Sequence, residues 1–246
     1  MRRQTADPVR FAERVLGFAP DAAQREILRN AESRTLLNAC RQWGKTTTAA
    51  ALAAHRLVTG AAESVTLILT PSARQSAEIL RLVEDLALRA GATPVGASTR
   101  LLLSGPGGAR VVGLGASESS VRGAPRGSLL VIDEAARVSD AAYKAARPLV
   151  TAGGGSILAL STPFGPRGFF WREWTRGGSR WRRYRLPATA CPRFSPEFLG
   201  EEREAVGDPW FRQEYLCEFT NLRGGLFPLE WIVRAFRDDV PPLELP

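Results

Sequence analysis

The run Ala39-Cys40-Arg41-Gln42-Trp43-Gly44-Lys45-Thr46 constrains the chain more than any other stretch. It lies where a strand-like segment, Thr35-Leu36-Leu37-Asn38, gives way to an Ala-rich helix predicted from Thr46 to Val58. A strand, a tight Gly-containing turn and a helix N-terminus together aim backbone N–H groups at an anion, so the stretch reads as a phosphate-binding loop. In the pattern G-x-x-x-x-G-K-[ST], the Lys reaches the β/γ-phosphates and the hydroxyl residue holds Mg²⁺; those roles fall here to Lys45 and Thr46. Ala39 stands where the pattern has its first Gly. Gly-Lys-Thr alone is common by chance, and a hydrolytic reading needs a second motif.

That motif is Leu129-Leu130-Val131-Ile132-Asp133-Glu134-Ala135-Ala136. Consecutive apolar residues indicate a strand buried on both faces of a parallel sheet. Two carboxylates follow at its C-terminal end, the edge where ligands bind in open α/β sheets. Asp133 is expected to hold Mg²⁺ through water and Glu134 to orient or deprotonate the attacking water. Adjacent acids at a helix start also arise simply because the helix dipole favours them there. Joined to the phosphate loop, they read as a nucleotide-hydrolysing pair, with ATP and Mg²⁺ as the implied substrate and cofactor.

Composition narrows the alternatives. The 246 residues are 44% apolar, enough to bury a core, and the longest apolar runs fall far short of the ~20 residues of a membrane span. Cys40, Cys191 and Cys217 are too scattered for a disulfide framework or zinc site, and Cys40 is expected to pack at the strand end. A single histidine, His55, leaves hydrolytic triads and His-based metal sites without ligands. Net charge is +8, and among 33 basic residues only Lys45 and Lys144 are lysines. Arginine forks suit phosphate recognition, so a polyanionic partner fits, though a coding bias toward Arg would give the same excess.

The remaining elements fit a mostly parallel α/β sheet flanked by helices. Pro8 to Asn30 has an amphipathic helical pattern; Val65-Thr70 and Ser156-Leu160 are further buried strands; Ser72 caps a helix from Ala73 to Arg89. Leu101-Leu103 and Val111-Leu114 flank Gly105-Pro106-Gly107-Gly108 as a hairpin, and Gly113 to Ser128 is a long loop carrying Arg122 and Arg126. From Arg167 to Arg185, arginines interleave with Phe169, Phe170, Trp171, Trp174, Trp181 and Tyr184. Such a stretch can stack on bases and grip phosphates, or its aromatics can be the core of a small subdomain; the second reading is favoured for the aromatics. Arg180, Arg182 and Arg183 stay candidates for contact with DNA.

Taken in order, these motifs resemble the N-terminal packaging ATPase of the large terminase subunit of tailed bacteriophages. Leu16-Gly17-Phe18-Ala19-Pro20 with Gln24-Arg25-Glu26 is similar to the family's adenine-side segment. Arg41-Gln42-Trp43-Gly44-Lys45-Thr46 resembles its variant phosphate loop, in which the first Gly is dispensable. Val121-Arg122-Gly123 with Asp133-Glu134-Ala135-Ala136 is similar to its arginine loop and acidic strand. Ser161-Thr162-Pro163-Phe164-Gly165 resembles its coupling motif, and Phe211-Arg212-Gln213-Glu214-Tyr215 its closing helix.

The resemblance implies a P-loop NTPase of the additional-strand, conserved-glutamate type: an ATPase core over 1–165, a small lid subdomain over 166–225 and a linker over 226–246 toward a nuclease domain. It implies an ATP-hydrolysing motor that translocates double-stranded DNA into a procapsid. The motor would be a pentameric ring docked on a portal protein in the host cytoplasm, working with a small terminase subunit and no membrane. Nucleotide binding falls to Gln24, at the adenine, and to Arg41, Gln42, Trp43, Gly44, Lys45, Thr46 and Thr47. Metal binding falls to Thr46 and Asp133, and catalysis to Glu134, Arg41 in cis and Arg122 in trans. Ser161 and Thr162 would couple hydrolysis to movement. Arg126 and Arg137 are alternatives to Arg122 as the finger. Two competing readings remain: another helicase-type translocase, or a nucleotide-fold scaffold that does not hydrolyse.

Overall fold

Strand order puts the three chemically important chain segments side by side. In a computed structural model describing residues 7–30, 33–96, 101–220 and position 235, the described strands are β1 (Arg34–Ala39), β2 (Val65–Thr70), β3 (Leu102–Ser104), β4 (Arg110–Gly115), β5 (Leu129–Asp133), β6 (Ser156–Ser161) and β7 (Arg182–Leu186). They form one sheet in the order β3-β4-β2-β5-β6-β1-β7. All neighbours run parallel except the β3–β4 hairpin. β6 therefore lies between the phosphate-loop strand β1 and the acidic strand β5, with Asn38 opposite Ser161 and Asp133 opposite Leu160. This inserted strand is the topology expected of the additional-strand class.

Both faces of the sheet are covered, which is why its central strands β2, β5 and β6 are buried along their whole length and mostly apolar. Along each strand, successive side chains enter opposite cores. Leu37, Ile68, Val131 and Leu158 pack with helices α1 (Pro8–Arg14), α2 (Ala22–Arg29), α3 (Lys45–Thr59) and α4 (Ala73–Arg89). Leu36, Leu67, Ile132 and Ala159 pack with α6 (Asp140–Thr151) and α7 (Gly168–Arg176). In α3, Ala49, Ala50, Ala51, Ala53 and Ala54 are all buried. Short side chains let that helix lie close on the sheet and hold its N-terminus at the end of β1.

Several boundaries depart from the sequence reading. The amphipathic stretch from Pro8 to Asn30 is two helices, because Gly17 turns the chain at φ +64° and Asp21 opens α2 with a reciprocal capping box. The loop from Gly113 to Ser128 contains a short helix, α5 (Glu118–Arg122), capped by the Ser117 hydroxyl. The Arg/aromatic stretch contributes α7 and then β7, an edge strand parallel to β1. Its three arginines, Arg182, Arg183 and Arg185, hide the strand in the sequence, although charge is common on an edge that must not pair further. β7 thus joins the central sheet from within the 166–225 stretch; α8 (Pro196–Val206) and α9 (Asp208–Glu214) follow it. The linker expected over 226–246 lies outside the described residues, apart from position 235.

Three of the six aromatics are core, and Trp171, Trp174 and Tyr184 are half-buried. Phe169, Phe170 and Trp181 are buried, Phe169 stacks on Tyr143 at 4.0 Å, and the Trp181 indole donates to Glu173 Oε2 at 2.8 Å. Rings so placed have no free face for a nucleobase.

Candidate active site

The phosphate loop is tied to its surroundings as it leaves β1. The N–H of Cys40 donates to the Leu186 carbonyl and that of Arg41 to the Glu214 carbonyl, each at 2.9 Å. The Arg193 guanidinium holds the Trp43 carbonyl at 2.6 Å. Between these ties the backbone passes through the left-handed region at Gln42 (φ 59°), and again just beyond them at Gly44 (φ 96°). The positive φ favours glycine at position 44, and a Cβ there would also stand 3.0 Å from the Gln24 amide and press on it. α3 begins at Lys45 with no side-chain cap at Gly44, and its N-terminus faces the cavity.

Lys45 is 8% exposed and donates to the carbonyls of Ala39 at 3.0 Å and Cys40 at 2.8 Å. Burial draws its pKa down, opposed by the carboxylates of Glu134 and Asp133. Cys40 is fully buried and burial pushes its thiol up to about 11, so it packs and does not act as a nucleophile.

Asp133 ends β5 at 5% exposure, behind Thr46 and outside the lining of the cavity. Its Oδ2 accepts the Thr46 hydroxyl at 2.8 Å and its Oδ1 the Glu134 N–H at 3.0 Å. Burial, and next the neighbouring Glu134 charge, push its carboxyl up to about 6. A buried carboxylate beside a hydroxyl is a donor set suited to a hard divalent cation. Glu134 itself sits at φ 51°, ψ 41°. Holding a non-glycine residue there costs about 1 kcal/mol and sets its carboxylate on the cavity wall.

A cavity of about 560 Å³ lies against these parts, lined by Arg41, Gln42, Gly44, Lys45, Thr46 and Thr47 from the phosphate loop and by Glu134 and Thr162 from the ends of β5 and β6. Three residues that the sequence reading does not place there also line it: Gln75, Arg137 and Glu214. Arg137, a candidate finger for a neighbouring subunit, is instead engaged inside its own site. Its Nη1 donates to Glu134 Oε2 at 2.8 Å and to Thr162 Oγ1 at 3.4 Å, and its Nη2 to Glu214 Oε1 at 3.4 Å. The i, i+3 spacing of Glu134 and Arg137 is a usable signal for that pairing. Glu214 has none, since it lies 77 residues from Arg137.

Other expected site residues stand elsewhere. Gln24 is 2% exposed; its Oε1 accepts the Asp21 N–H at 2.9 Å as part of the capping box, and its amide nitrogen packs under Gly44. It braces the loop from behind and does not line the cavity. Trp43 is likewise buried in the core. Ser161 is fully buried and accepts the Ala136 N–H at 3.2 Å, tying β6 to the turn after Glu134. Arg122 ends α5 and is exposed, as is Arg126 in the loop that follows. Arg180 and Arg182 are exposed, but Arg183 is half-buried. Its guanidinium donates to the carbonyls of Glu173, Trp174, Gly178 and Trp181 at 2.8 to 3.1 Å, closing the end of α7. That use removes Arg183 from the candidates for DNA contact.

A family model described as "Terminase large subunit, T4likevirus-type, N-terminal" matches residues 36–234. No curated protein sequence matches significantly. Among solved structures, the Thermus phage P74-26 large terminase ATPase domain superposes with a TM-score of 0.72 at 24% identity, covering 85% of this chain and 97% of that one. The bacteriophage HK97 large terminase gives a TM-score of 0.70 at 17% identity over 87% of this chain and 55% of its own. The large terminase of a thermophilic bacteriophage, in complex with ADP, gives 0.66 at 9% identity over 89% and 53%. The chain thus spans about half the length of these last two proteins.

Proposed function

The chain belongs to the family of N-terminal domains of phage large terminase subunits, and on that footing we propose that it is the ATP-hydrolysing motor domain of a machine that drives double-stranded DNA into a procapsid. The observation that carries the reading is the 2.8 Å bond between Thr46 and Asp133, which joins the phosphate loop to the end of the acidic strand beside one cavity that Thr46 and Glu134 both line. ADP and ATP-γ-S are the nucleotides named with the thermophilic phage protein.

The α3 N-terminus and the loop amides would receive the phosphates, and Lys45 would exchange its two carbonyl acceptors for the β/γ oxygens. Thr46 and Asp133 would hold Mg²⁺, which when bound neutralises charge on the phosphates. Glu134 would accept the proton of the attacking water, and Arg41, exposed on the cavity wall, would offset charge on the γ-phosphate in cis. Arg122 would do so in trans, from a short helix at the surface. Ser161 and Thr162 would pass the change to the 166–225 stretch as a lid, through Ala136 and Arg137.

By the same reading the protein acts as a ring, a pentamer, docked transiently on a portal in the host cytoplasm. It would work with a small terminase subunit. Among the described residues no helix is long and apolar enough to cross a membrane. The test is phosphate release by the purified protein with ATP, with and without duplex DNA, against Lys45→Ala. Turnover that depends on Lys45 and rises with DNA supports the motor. Turnover absent from both proteins, with nucleotide still bound by the wild type, would leave a non-hydrolysing scaffold.

A further inference from the structure

The hydrolytic wall of the cavity is tied to α9 by one buried carboxylate. Glu214, the last residue of α9, has a side chain only 4% exposed, and its two acceptors serve two different parts of the site. Its backbone carbonyl takes the Arg41 N–H at 2.9 Å and so anchors the phosphate loop. Its side-chain Oε1 takes Arg137 Nη2 at 3.4 Å and the Gln213 amide at 3.1 Å. Gln213, itself fully buried, accepts the Gly165 N–H at 3.2 Å, so the same helix end also holds the segment after Thr162.

Arg137 is the shared member. Its guanidinium lies 4.8 Å over the Phe164 ring, with Glu134 and Glu214 on its two outer nitrogens. The planar fork cannot turn to one carboxylate without loosening its hold on the other. The bond to Glu134 is short, at 2.8 Å, and that to Glu214 long, at 3.4 Å. A buried carboxylate also cannot readily give up its cation, because an unpaired charge there is strongly unfavourable. The two acids thus compete for one arginine.

We propose that Glu214 is a positioning residue for hydrolysis: by drawing Arg137 away from Glu134 it sets how far the Arg137 guanidinium occupies the Glu134 carboxylate, and so how that carboxylate is presented to the cavity. It thereby makes the placement of α9 and the activity of the site one variable. The assignment rests on the hydrolytic reading above.

The test is Glu214→Gln, which keeps the shape, the backbone carbonyl and an oxygen acceptor while removing the charge. Arg137 then pairs with Glu134 alone, and kcat is expected to fall about tenfold while Kd for a fluorescent ATP analogue stays within about twofold. In an Arg137→Met background the same substitution is expected to change kcat by less than about twofold, because its route of action is gone. A merely structural role would shift Kd and the thermal midpoint together with kcat, and would persist in that background. If Arg137→Met fails to fold with Glu214 left unpaired, the double variant, which removes both charges, is compared with Glu214→Gln: recovery of kcat supports the shared arginine, and no recovery overturns it. A folded Glu214→Gln protein with wild-type kcat also overturns it. Wild-type protein without Lys45-dependent turnover removes the hydrolytic reading first, and this assignment with it.

Discussion

The Thr46 hydroxyl donates to Asp133 Oδ2 at 2.8 Å across 87 residues of sequence, joining the first turn of α3 to the end of β5. Neither residue could hold that geometry alone. Thr46 is placed by the loop after β1, Asp133 by the register of β5 against β6, and β6 by its pairing with β1 on its other side. A shift of one residue in either strand pair would turn Asp133 to the opposite face.

Asp133 carries the first prediction. Its carboxyl is ordinarily near 3.8 and is raised to about 6 in the fold, chiefly by burial. The folded protein therefore binds more protons than the unfolded one between these values, and stability falls as pH rises through that window. The cost is absent below about pH 4 and complete above pH 6, reaching at most roughly 3 kcal/mol for a shift of about two units. Asp133→Asn lacks this dependence. Without metal or nucleotide, the variant is expected to gain on the wild type in thermal midpoint from pH 4 to 6, then hold a constant difference to pH 8. A difference that does not change with pH would show that Asp133 is not raised.

Lys45→Ala and Glu134→Gln are expected to fail differently. The first removes the cation nearest the β/γ-phosphates and should lose both ATP affinity and turnover. The second keeps the shape of the site and loses only the proton acceptor, so ATP should bind within a few-fold of wild type while turnover falls by about 10²–10⁴. Equilibrium binding beside single-turnover hydrolysis separates the two. Wild-type turnover in Glu134→Gln would move the base elsewhere.

Arg122 is expected to act on a neighbour's nucleotide. An arginine finger contributes on the order of 10³–10⁵ in rate. Arg122→Ala should therefore be nearly inactive alone, and Lys45→Ala likewise. Mixing them should restore some turnover, because an intact cavity from one chain can meet an intact Arg122 from the other. A mixture that stays inactive at concentrations where wild-type activity climbs steeply would exclude this role, and Arg126 would be tested next.

The arginines of β7 and the turn before it should divide by burial. Arg183→Ala breaks charged bonds to several carbonyls at the end of α7 and is expected to cost about 1–3 kcal/mol in unfolding free energy. Arg180→Ala and Arg182→Ala should change stability by less than about 0.5 kcal/mol. If those two touch DNA, each loss should lower the slope of log affinity against log salt by roughly one. An unchanged slope would assign both to the solvated surface.

The local signals in this chain are strong wherever one element carries its own cause. The strand ends at Ala39 and Asp133, the helix starting near Thr46, the Ser72 cap and the β3–β4 hairpin are written in runs of adjacent residues. Short-range sterics and hydrophobic periodicity suffice to read them. The break of the first stretch into two helices has local causes, Gly17 and the Asp21 capping box, that amphipathic periodicity alone passes over, whereas β7 emerges from a run of arginines because tertiary pairing overrides the local pattern. Gln24 reads as a ligand contact in the sequence, but its role depends on Gly44 folding over it. Arg183 looks like a phosphate contact until the end of α7 gives it carbonyls to close. The ties among Arg137, Glu134 and Glu214 depend on packing α9 against the ends of β5 and β6. A side chain's partner across 77 residues is set by that packing and has no periodicity of its own. The sequence therefore carries the chemistry of the cavity in its loop and acids, while the identity of the groups that restrain that chemistry arises only when the sheet has closed.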